Sequence, residues 1–374
     1  MKRRSRKTLG SVWQQAMTSM TRTALRSGAK TFRQVLASVP KAKRAAQSKV
    51  IRAKRPPARP AASKRPRGRS SARPSTPSDR SASGWSAGIA IAPAGVRRYR
   101  LYKPPGTRRS ERLPLLVMLH GCGQDAKSFA ESTRMNRTAA RNRFLVLYPE
   151  QDRYANAQGC WNWFDTRSGR AQGEAELIMR AIDQVCSLYA ADRQRVAVAG
   201  LSAGASMAAF VVTQHPERFK ALMMHSGIAP GAAHSTLSAI GAMHGKRVPR
   251  ALDATVETMA EAWPPLLVIH GKKDSVVSSV NAHAAVQVWA EASGASASAV
   301  REVRRGQRYP MTVTDFKRKR ATVAQLVQID RLGHAWSGGA ANQRFSDGRG
   351  PDASRMLWAF AARQFRELES SGPP

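Results

Sequence analysis

The pentapeptide Gly200-Leu201-Ser202-Ala203-Gly204 is the part of this sequence that points most directly to chemistry. It follows a mostly apolar run at 195–199 that predicts a buried strand, and a helix is predicted to start near Ala205. A serine at a sharp turn between a strand and a helix has its hydroxyl exposed, and small flanking residues let the two elements approach closely. We therefore predict that Ser202 is a nucleophile held at such a turn.

A serine hydroxyl is a poor nucleophile at neutral pH and needs a base to take its proton during attack. A histidine suits that task, and in a strand-to-helix serine site it comes last in the chain order serine, acid, histidine. His334 follows the last predicted strand, at 323–329, and lies at the start of a glycine-containing loop at 333–339. His225 and His270 also follow predicted strands but precede that last one, so we predict His334 as the base.

The base needs a carboxylate that orients its ring and stabilises its charged form. Asp274 lies just past the predicted strand at 266–269, in a short turn where such an acid belongs. Asp315 and Asp330 are the competitors: Asp330 lies only four residues before His334, and Asp315 falls in a strand pattern as a surface residue. Although loop aspartates are commonly caps or turn residues, position favours Asp274 as the orienting acid.

Attack on a carbonyl also requires two N–H donors for the oxyanion that develops. The backbone N–H of Ala203, directly after the serine, is one candidate. The other is expected from the loop at 121–123, after the predicted strand at 113–119, with Cys122 at its centre. Cys122 would act through its backbone, and it can at the same time be a small buried turn residue.

Apolar runs alternate with amphipathic stretches from about Val96 onward, which predicts an α/β domain with a mostly parallel sheet and helices on both faces. Catalytic groups are then expected on loops at the carboxyl ends of the strands. The predicted strands are 99–102, 113–119, 144–148, 195–199, 221–224, 266–269 and 323–329, and one helix is predicted over 173–190.

Several motifs occur in an order that resembles the polyhydroxybutyrate depolymerase family of esterases, which is related to feruloyl and acetylxylan esterases. The likeness covers roughly residues 95–365. The motifs are His120-Gly121-Cys122-Gly123-Gln124, Cys160-Trp161-Asn162-Trp163-Phe164, Gly200-Leu201-Ser202-Ala203-Gly204, Ser226-Gly227, His270-Gly271-Lys272-Lys273-Asp274, Gly333-His334-Ala335-Trp336-Ser337-Gly338-Gly339, Phe345-Ser346-Asp347 and Gly350-Pro351-Asp352-Ala353-Ser354.

The resemblance implies an α/β-hydrolase fold, a triad of Ser202, Asp274 and His334, and Cys122 as an oxyanion residue. It implies neither a metal nor an organic cofactor. The expected substrate is poly(3-hydroxybutyrate) or its oligomers, with feruloyl or acetyl esters of polysaccharide as the alternative. A catalytically inactive hydrolase fold that acts as a scaffold is a further alternative, because fold alone never guarantees activity.

Aromatic residues lie close to these motifs. Trp161, Trp163 and Phe164 form a cluster near Tyr154, and core packing is the ordinary explanation for any one of them. In a depolymerase such a cluster could instead form an aromatic wall that grips an apolar polyester chain. Trp336 is expected to support the histidine loop or to line the acyl pocket.

Charge is distributed unevenly along the 374 residues. Residues 1–85 contain 23 Lys or Arg and a single acid, Asp79. This segment therefore carries +22 (23 − 1) of the chain's formal net charge of +38. The Pro-, Ala-, Lys- and Arg-rich segment 40–85 has little to bury and is predicted to be a disordered linker. Segment 86–370 is ample for one large esterase domain.

Residues 1–39 show apolar residues at helical spacing with basic residues between them, which predicts a basic amphipathic helix. Such a helix could lie on an anionic surface, namely a polymer granule, a membrane or a nucleic acid, or it could pack on its own domain. The sequence predicts no oligomeric state.

Three cysteines are too few for a disulfide framework, although a single Cys160–Cys186 bridge would be compatible with an oxidising compartment. No continuous apolar h-region of a signal peptide follows the basic residues at 2–7, and no run approaches the length of a membrane span. These features predict a cytoplasmic protein, which could associate with polymer granules. Extracellular location is the alternative, since many members of the resembled family are secreted.

Overall fold

A computed structural model describes residues 84–370, apart from residues 109, 190, 248 and 250–262. The predicted helical segment 1–39 and nearly all of the predicted linker 40–85 lie outside the described residues. The first described strand begins at Trp85, one residue before the predicted start of the esterase domain.

The described residues form one large sheet in the order β1-β2-β4-β3-β5-β6-β7-β11-β10-β8, with β9 paired to β10, and a small sheet of β12 and β13. The inner strands of the large sheet pair in parallel, from β4 through β3, β5, β6 and β7 to β11. Its outer strands pair antiparallel. The prediction of a mostly parallel central sheet is therefore confirmed. The strands are β1 (Trp85–Ala92), β2 (Gly95–Tyr102), β3 (Leu113–Leu119), β4 (Leu145–Pro149), β5 (Ala191–Leu201), β6 (Ala221–His225), β7 (Leu266–Gly271), β8 (Ser296–Ala297), β9 (Arg301–Val303), β10 (Met311–Arg318), β11 (Ala321–Ile329), β12 (Trp336–Ser337) and β13 (Ser346–Asp347).

Helices cover both faces of the sheet because successive side chains of a strand point to opposite sides. All seven residues of β3 are buried. Leu116 and Met118 belong to a core cluster with residues of three helices, among them Phe129, Met135 and Phe360. The alternate residues of β3 face the other side, where further helices contact the strands. The helices are α1 (Ala126–Thr133), α2 (Met135–Asn142), α3 (Arg170–Leu188), α4 (Ala203–Gln214), α5 (Thr236–Met243), α6 (Val280–Ser293) and α7 (Ala353–Ser370), with a 3-10 turn at Pro216–Arg218.

The central strands bring the loops that carry the candidate residues to one edge of the sheet. Strands β5, β6, β7 and β11 are parallel neighbours, so the loops after their carboxyl ends lie side by side. The loop after β3 lies at the same edge, because β3 pairs in parallel with β5. Within the described ranges, no helix has the length and apolar character needed to cross a bilayer.

Candidate active site

Ser202 occupies a strained turn between β5 and α4. Its backbone has φ 56° and ψ −122°, outside the conformations that a serine ordinarily adopts. A Cβ at Gly200 would collide with the backbone of Gly204, and a Cβ at Gly204 would collide with the carbonyl oxygens of Leu119 and His120. Only glycine therefore fits at either position, which accounts for the Gly-x-Ser-x-Gly spacing.

The serine is fixed by its backbone, while its side chain takes no part in capping the helix. The N–H of Ser202 donates to the carbonyl oxygen of His225 at 2.9 Å, which ties the turn to the end of the neighbouring strand β6. Ser202 is the N-cap residue of α4, yet its hydroxyl makes no cap hydrogen bond. The residue is only partly buried, so its hydroxyl is available to other partners.

Asp274 and His334 are in direct contact. Nδ1 of His334 lies 2.8 Å from Oδ2 of Asp274, and since a carboxylate only accepts, Nδ1 carries the proton. The other oxygen, Oδ1, accepts from the N–H groups of Val276 and Val277 at 3.0 and 2.9 Å. The Asp274 side chain is fully buried, whereas that of His334 is 11 % exposed. The pair thus leaves Nε2 of His334 for a partner outside the pair.

The surroundings of Asp274 keep it ionised. Burial by itself would raise the pKa of this carboxyl, but the hydrogen bond from His334, the charges of His334 and His270 and the Val277 N–H outweigh burial and hold the pKa below its usual value. His270 donates from Nε2 to the Val277 carbonyl at 2.9 Å and thereby closes the same turn. A charged, fixed carboxylate is what orients an imidazole and stabilises its protonated form.

His225 links the serine turn to the histidine loop. Its carbonyl accepts from Ser202, and its Nε2 accepts from the N–H of Ser337, three residues beyond His334, at 3.2 Å. Its ring also stacks on Trp336 with the centroids 5.1 Å apart. Burial, with the nearby His270 and His334, lowers the pKa of His225 to about 3, so the ring is a neutral connector.

The structure therefore places the three residues of the predicted triad on neighbouring strand ends. Ser202 follows β5, Asp274 follows β7 and His334 follows β11, while β6 with His225 lies between the first two. The loops of the last two also touch, since the N–H of Lys273 donates to the Leu332 carbonyl at 3.0 Å.

The two predicted oxyanion donors lie on segments that contact each other. The Cβ position of Gly121 would be 3.4 Å from the carbonyl oxygen of Leu201, so the loop at 121–123 packs against the end of β5. Within the part of the chain that the structure describes, the N–H groups of Cys122 and Ala203 donate to no other group. Both N–H groups are thus free to bind an anion formed beside the serine.

The cysteine pairing differs from the Cys160–Cys186 bridge that the sequence suggested. Cys122 and Cys160 form a disulfide, and Cys186 is a buried free thiol in α3. The physical reason is distance in space: the loop at 121–123 runs beside the segment before Cys160, where the N–H of Gly123 donates to the Gln158 carbonyl at 2.9 Å. The sulfur of Cys122 is therefore a covalent link between two loops.

The tryptophans proposed as substrate-binding residues lie mostly inside the domain. Trp161 and Trp336 are fully buried, and their ring N–H groups donate to the His120 carbonyl at 3.0 Å and to Ser354 Oγ at 3.1 Å. Trp163 is 7 % exposed. This placement corrects the expectation of an aromatic wall for Trp161, because a ring enclosed in the core presents no face to a polymer. Trp336 supports the histidine loop, which was one of its two expected roles.

Several histidines and aspartates outside the predicted triad take structural roles. His120 binds loop backbone through both ring nitrogens, at the Gly121 carbonyl (2.9 Å) and the Gln151 N–H (3.0 Å). Asp330 pairs with Lys272 at the surface, 2.9 Å apart. Asp315 lies in β10 as predicted, but it is buried rather than on the surface, and Gln325 and Arg301 donate to its carboxylate.

A buried polar network under this site escaped sequence reasoning. Gln151 Nε2 donates to Oε1 of Glu174 at 2.6 Å and to the Cys160 carbonyl at 2.9 Å, and Arg97 donates to the Gln151 side chain. Asn162 donates to the same glutamate through its backbone and its side chain, at 2.9 and 2.7 Å. One signal could have pointed to it: Glu174 falls on the apolar face of the predicted helix, where a carboxylate needs a partner.

Within the described residues, no group of three or more histidines, cysteines or acids is placed to hold a metal ion. The residues that gather at the sheet edge are a serine, a histidine and an aspartate with two free backbone N–H groups. They have the composition of a nucleophile with its base, its orienting acid and an anion site.

The strand order, the strained serine turn and the position of the histidine loop define an α/β-hydrolase. A family model described as esterase PHB depolymerase matches residues 97–309, and the chain belongs to that family of carboxylic ester hydrolases.

Relatives agree with this assignment. The chain is 30% identical over 197 residues to poly(3-hydroxyalkanoate) depolymerase C of Paucimonas lemoignei, an alignment that covers 48% of this chain and 45% of that protein. It is 27% identical over 215 residues to feruloyl esterase B of Neurospora crassa, covering 54% of this chain and 72% of that one. The acetyl xylan esterase from Aspergillus awamori has a similar fold, with a TM-score of 0.55 and 19% identity over 67% of this chain and 94% of that one.

Proposed function

We propose that this protein hydrolyses carboxylic esters by a serine mechanism. His334 takes the Ser202 proton as the hydroxyl oxygen attacks the ester carbonyl, and the N–H groups of Cys122 and Ala203 hold the oxyanion. The protonated His334 then gives its proton to the leaving alcohol, which departs and leaves an acyl-serine. Water, deprotonated by His334, attacks the acyl-serine, and the protonated His334 then returns the proton to the Ser202 oxygen as the carboxylic acid leaves. Asp274 keeps the ring oriented throughout. The observation that carries this proposal is the 2.8 Å contact between His334 and the buried Asp274 at the sheet edge that also holds the strained serine.

The leading substrate is poly(3-hydroxybutyrate) or its oligomers. The family match and the similarity to a poly(3-hydroxyalkanoate) depolymerase support it, although the alignment spans less than half of that protein. Feruloyl or acetyl esters of polysaccharide are the alternative, supported by the similarity to feruloyl esterase B. Release of product from amorphous 3-hydroxybutyrate polymer, a feruloyl ester and acetylated xylan, measured side by side, decides between them.

Two substitutions test the mechanism on an activated short-chain ester. Ser202→Ala is expected to lower kcat by about 10⁴-fold or more, because the nucleophile is lost. Asp274→Asn is expected to lower kcat by roughly 10³- to 10⁴-fold, because an amide no longer fixes the required tautomer of His334.

Asp330→Asn is the matched control, since Asp330 lies four residues before His334 but pairs with Lys272 at the surface. It is expected to keep kcat within about threefold of the wild type, as for most surface substitutions. Wild-type turnover in Ser202→Ala would refute the mechanism. Equal losses in Asp330→Asn and Asp274→Asn would refute the choice of acid.

We also propose that the basic N-terminal segment binds an anionic surface. This proposal rests on the sequence, which places 23 basic residues and one acid in residues 1–85. Co-sedimentation of the full-length protein with polymer granules, anionic vesicles or duplex DNA over a salt series tests it. Binding that vanishes at high salt indicates charge alone, and binding that survives indicates burial of apolar side chains as well. A variant with the basic residues at 52–69 changed to Gln should lose the salt-sensitive part, and unchanged binding would refute the proposal.

The disulfide bears on the compartment in which the protein works. Disulfides persist in oxidising environments, so the Cys122–Cys160 bond favours the extracellular alternative over the cytoplasmic one. Thiol labelling of protein taken directly from its cells and from their medium checks this proposal. Two blocked cysteines are expected in the medium.

A further inference from the structure

Ser226 comes directly after β6 and has a strained backbone, as Ser202 has after the neighbouring strand β5. Its φ is 52°, and it is the one fully buried residue among the described non-glycine residues with a positive φ. A left-handed backbone is unfavourable for a residue with a Cβ and persists only where the surrounding contacts impose it. The contacts of this serine therefore indicate what the strain maintains.

The segment 225–228 lies directly against the helix that follows the nucleophile. The N–H of Ile228 donates to Oγ of Ser206, in the first turn of α4, at 2.8 Å. A Cβ on Gly227 would be 2.7 Å from the Cβ of Ala205, so only glycine allows this close approach. With the bond that the His225 carbonyl accepts from the nucleophile turn, the segment contacts that turn and its helix at three successive points.

The side chain of Ser226 determines which ring nitrogen of His225 carries the proton. A backbone N–H only donates, so Nε2 of His225, which accepts from the Ser337 N–H at 3.2 Å, is unprotonated. Burial keeps the ring neutral, and its single proton is therefore on Nδ1. Nδ1 lies 3.2 Å from Oγ of Ser226 and donates to it. The hydroxyl oxygen thus stabilises the one tautomer that can receive the Ser337 N–H.

The other tautomer is incompatible with the observed contact to the histidine loop. With its proton on Nε2, the His225 ring would present a donor to the Ser337 N–H, which is also a donor. Without the Ser226 oxygen, a buried Nδ1–H would lack a partner, and the preference for the required tautomer would be lost. Ser337 lies three residues beyond His334, so a change in this contact acts on the loop that carries the proposed base.

We propose that Ser226 is a positioning residue for ester hydrolysis: its Oγ fixes the tautomer of His225, and that ring holds the His334 loop in place beside the Ser202 turn. This inference rests on the proposed serine esterase function. With its left-handed backbone, Ser226 donates its N–H to the Ile269 carbonyl of β7 at 2.9 Å while its Oγ remains beside the ring. The strain is thus retained where two adjacent strand ends and the histidine loop are connected.

The expected kinetic effect is on turnover rather than on substrate binding. Ser226 is fully buried, so it does not touch the substrate, and its loss should change KM by less than about threefold. A displacement of about 1 Å in a reacting group can cost about 10²-fold in rate. Because removal of the hydroxyl loosens the His334 loop without removing the base, we expect a loss of roughly 10- to 100-fold in kcat.

The kinetic experiment compares full-length wild type, Ser226→Ala, Ser226→Gly and Thr213→Val on an activated short-chain ester. Both Ser226 variants lose the oxygen, but only glycine adopts the left-handed backbone without strain, so kcat should fall alike in both although their thermal stabilities differ. Thr213→Val is the matched control, since it removes a buried hydroxyl that donates to the Phe210 carbonyl near the far end of α4, about 15 Å along the helix. It should keep kcat within about threefold of the wild type.

A spectroscopic measurement reads the tautomer without depending on turnover. Nitrogen-15 NMR of protein labelled at its histidines distinguishes protonated from unprotonated ring nitrogens, and the signal missing in His225→Gln assigns His225. We expect protonation at Nδ1 in the wild type and in Thr213→Val. In Ser226→Ala we expect a mixture of the two tautomers.

Circular dichroism and thermal unfolding of each sample separate this effect from loss of the fold. Ser226→Gly decides the matter if Ser226→Ala does not fold. Wild-type kcat in a folded Ser226 variant, or a proton on Nε2 of His225 in the wild type, overturns the inference and leaves the esterase mechanism intact. Losses of kcat that follow thermal stability in the two Ser226 variants also overturn it. Absence of Ser202-dependent turnover in the wild type overturns the proposed function, and this inference with it.

Discussion

The two proposed oxyanion donors are held in place by different means. Ala203 follows the serine turn, where Gly200 and Gly204 press backbone against backbone and the Ser202 N–H is bonded to strand β6. Cys122 lies on a loop that is fixed by a disulfide and by a polar network beneath its partner. Main-chain packing thus fixes the geometry of the serine turn around Ala203, here called the turn side. Side chains fix the geometry of the loop around Cys122, here called the loop side. Different substitutions should therefore perturb the two proposed donors, although the segments that carry them are in contact.

Each side nevertheless rests on a buried neutral histidine. Nε2 of His120 accepts from the Gln151 N–H on the loop side, and Nε2 of His225 accepts from the Ser337 N–H on the turn side. Burial is the main cause that lowers the pKa of His120 to about 4 and that of His225 to about 3. Protonation of either ring would convert its acceptor nitrogen into a donor that faces another N–H.

The largest effect we expect is therefore a loss of stability in acid. In the unfolded chain both histidines bind a proton near pH 6.5, whereas in the folded protein they bind one only near pH 4 and pH 3. The free energy of unfolding should be insensitive to these groups above about pH 7 and should fall as pH drops from about 6.5 toward 4. These pKa shifts correspond to a loss of roughly 3 kcal/mol or more of unfolding free energy for each histidine once the pH has fallen below its folded-state pKa. Urea unfolding over that pH range measures the slope.

His120→Gln and His225→Gln sharpen the comparison between the two sides. Each variant is expected to lower by about one the number of protons taken up on unfolding in acid. The free energy of unfolding should therefore depend less steeply on pH. Slopes that remain those of the wild type in both variants would contradict the assignment of these two rings as buried and neutral.

The next largest expected effect is on stability, and it should differ between a glycine of the serine turn and a glycine of the Cys122 loop. A Cβ at Gly204 would strike the carbonyl oxygens of Leu119 and His120, which belong to the backbone and cannot rotate away, so Gly204→Ala should cost about 3 kcal/mol or more. A Cβ at Gly123 would meet nothing, so Gly123→Ala should cost only about 1 kcal/mol for its left-handed backbone. Chemical denaturation of both variants gives the two values. Similar losses would remove the distinction between a packed turn and an open loop.

The central fold was predictable because most of the inner strands contain a continuous apolar run. The prediction of 113–119 matches β3, and the run at 195–199 lies within β5. The candidate site followed from the order of the strands, since Ser202, Asp274 and His334 each come just after a strand end. Chain position and residue type were sufficient for these features, because parallel strands place their carboxyl ends together.

Features that depend on distance in space were not predictable. The partner of Cys160 was misjudged because Cys122 comes close to it only after the loops fold against each other. Burial of Trp161 depends on the His120 carbonyl that receives its N–H, and that contact spans 41 residues of chain. Strand β1 was missed because it lies at the edge of the sheet and its apolar run at 87–92 consists mostly of alanine and glycine, with Ile89 and Ile91 exposed.

The disulfide has a consequence for the unfolded chain as well as for the folded one. By closing a ring between residues 122 and 160, it encloses α1, α2 and β4. In a chain-entropy description, a ring of this size removes about 4 kcal/mol of loop-closure entropy from the denatured ensemble. Residues 122–160 therefore have fewer accessible conformations in the unfolded state than an open chain of equal length. The same covalent bond that links two loops of the candidate site in the folded domain also restricts the conformations of that segment in the unfolded chain.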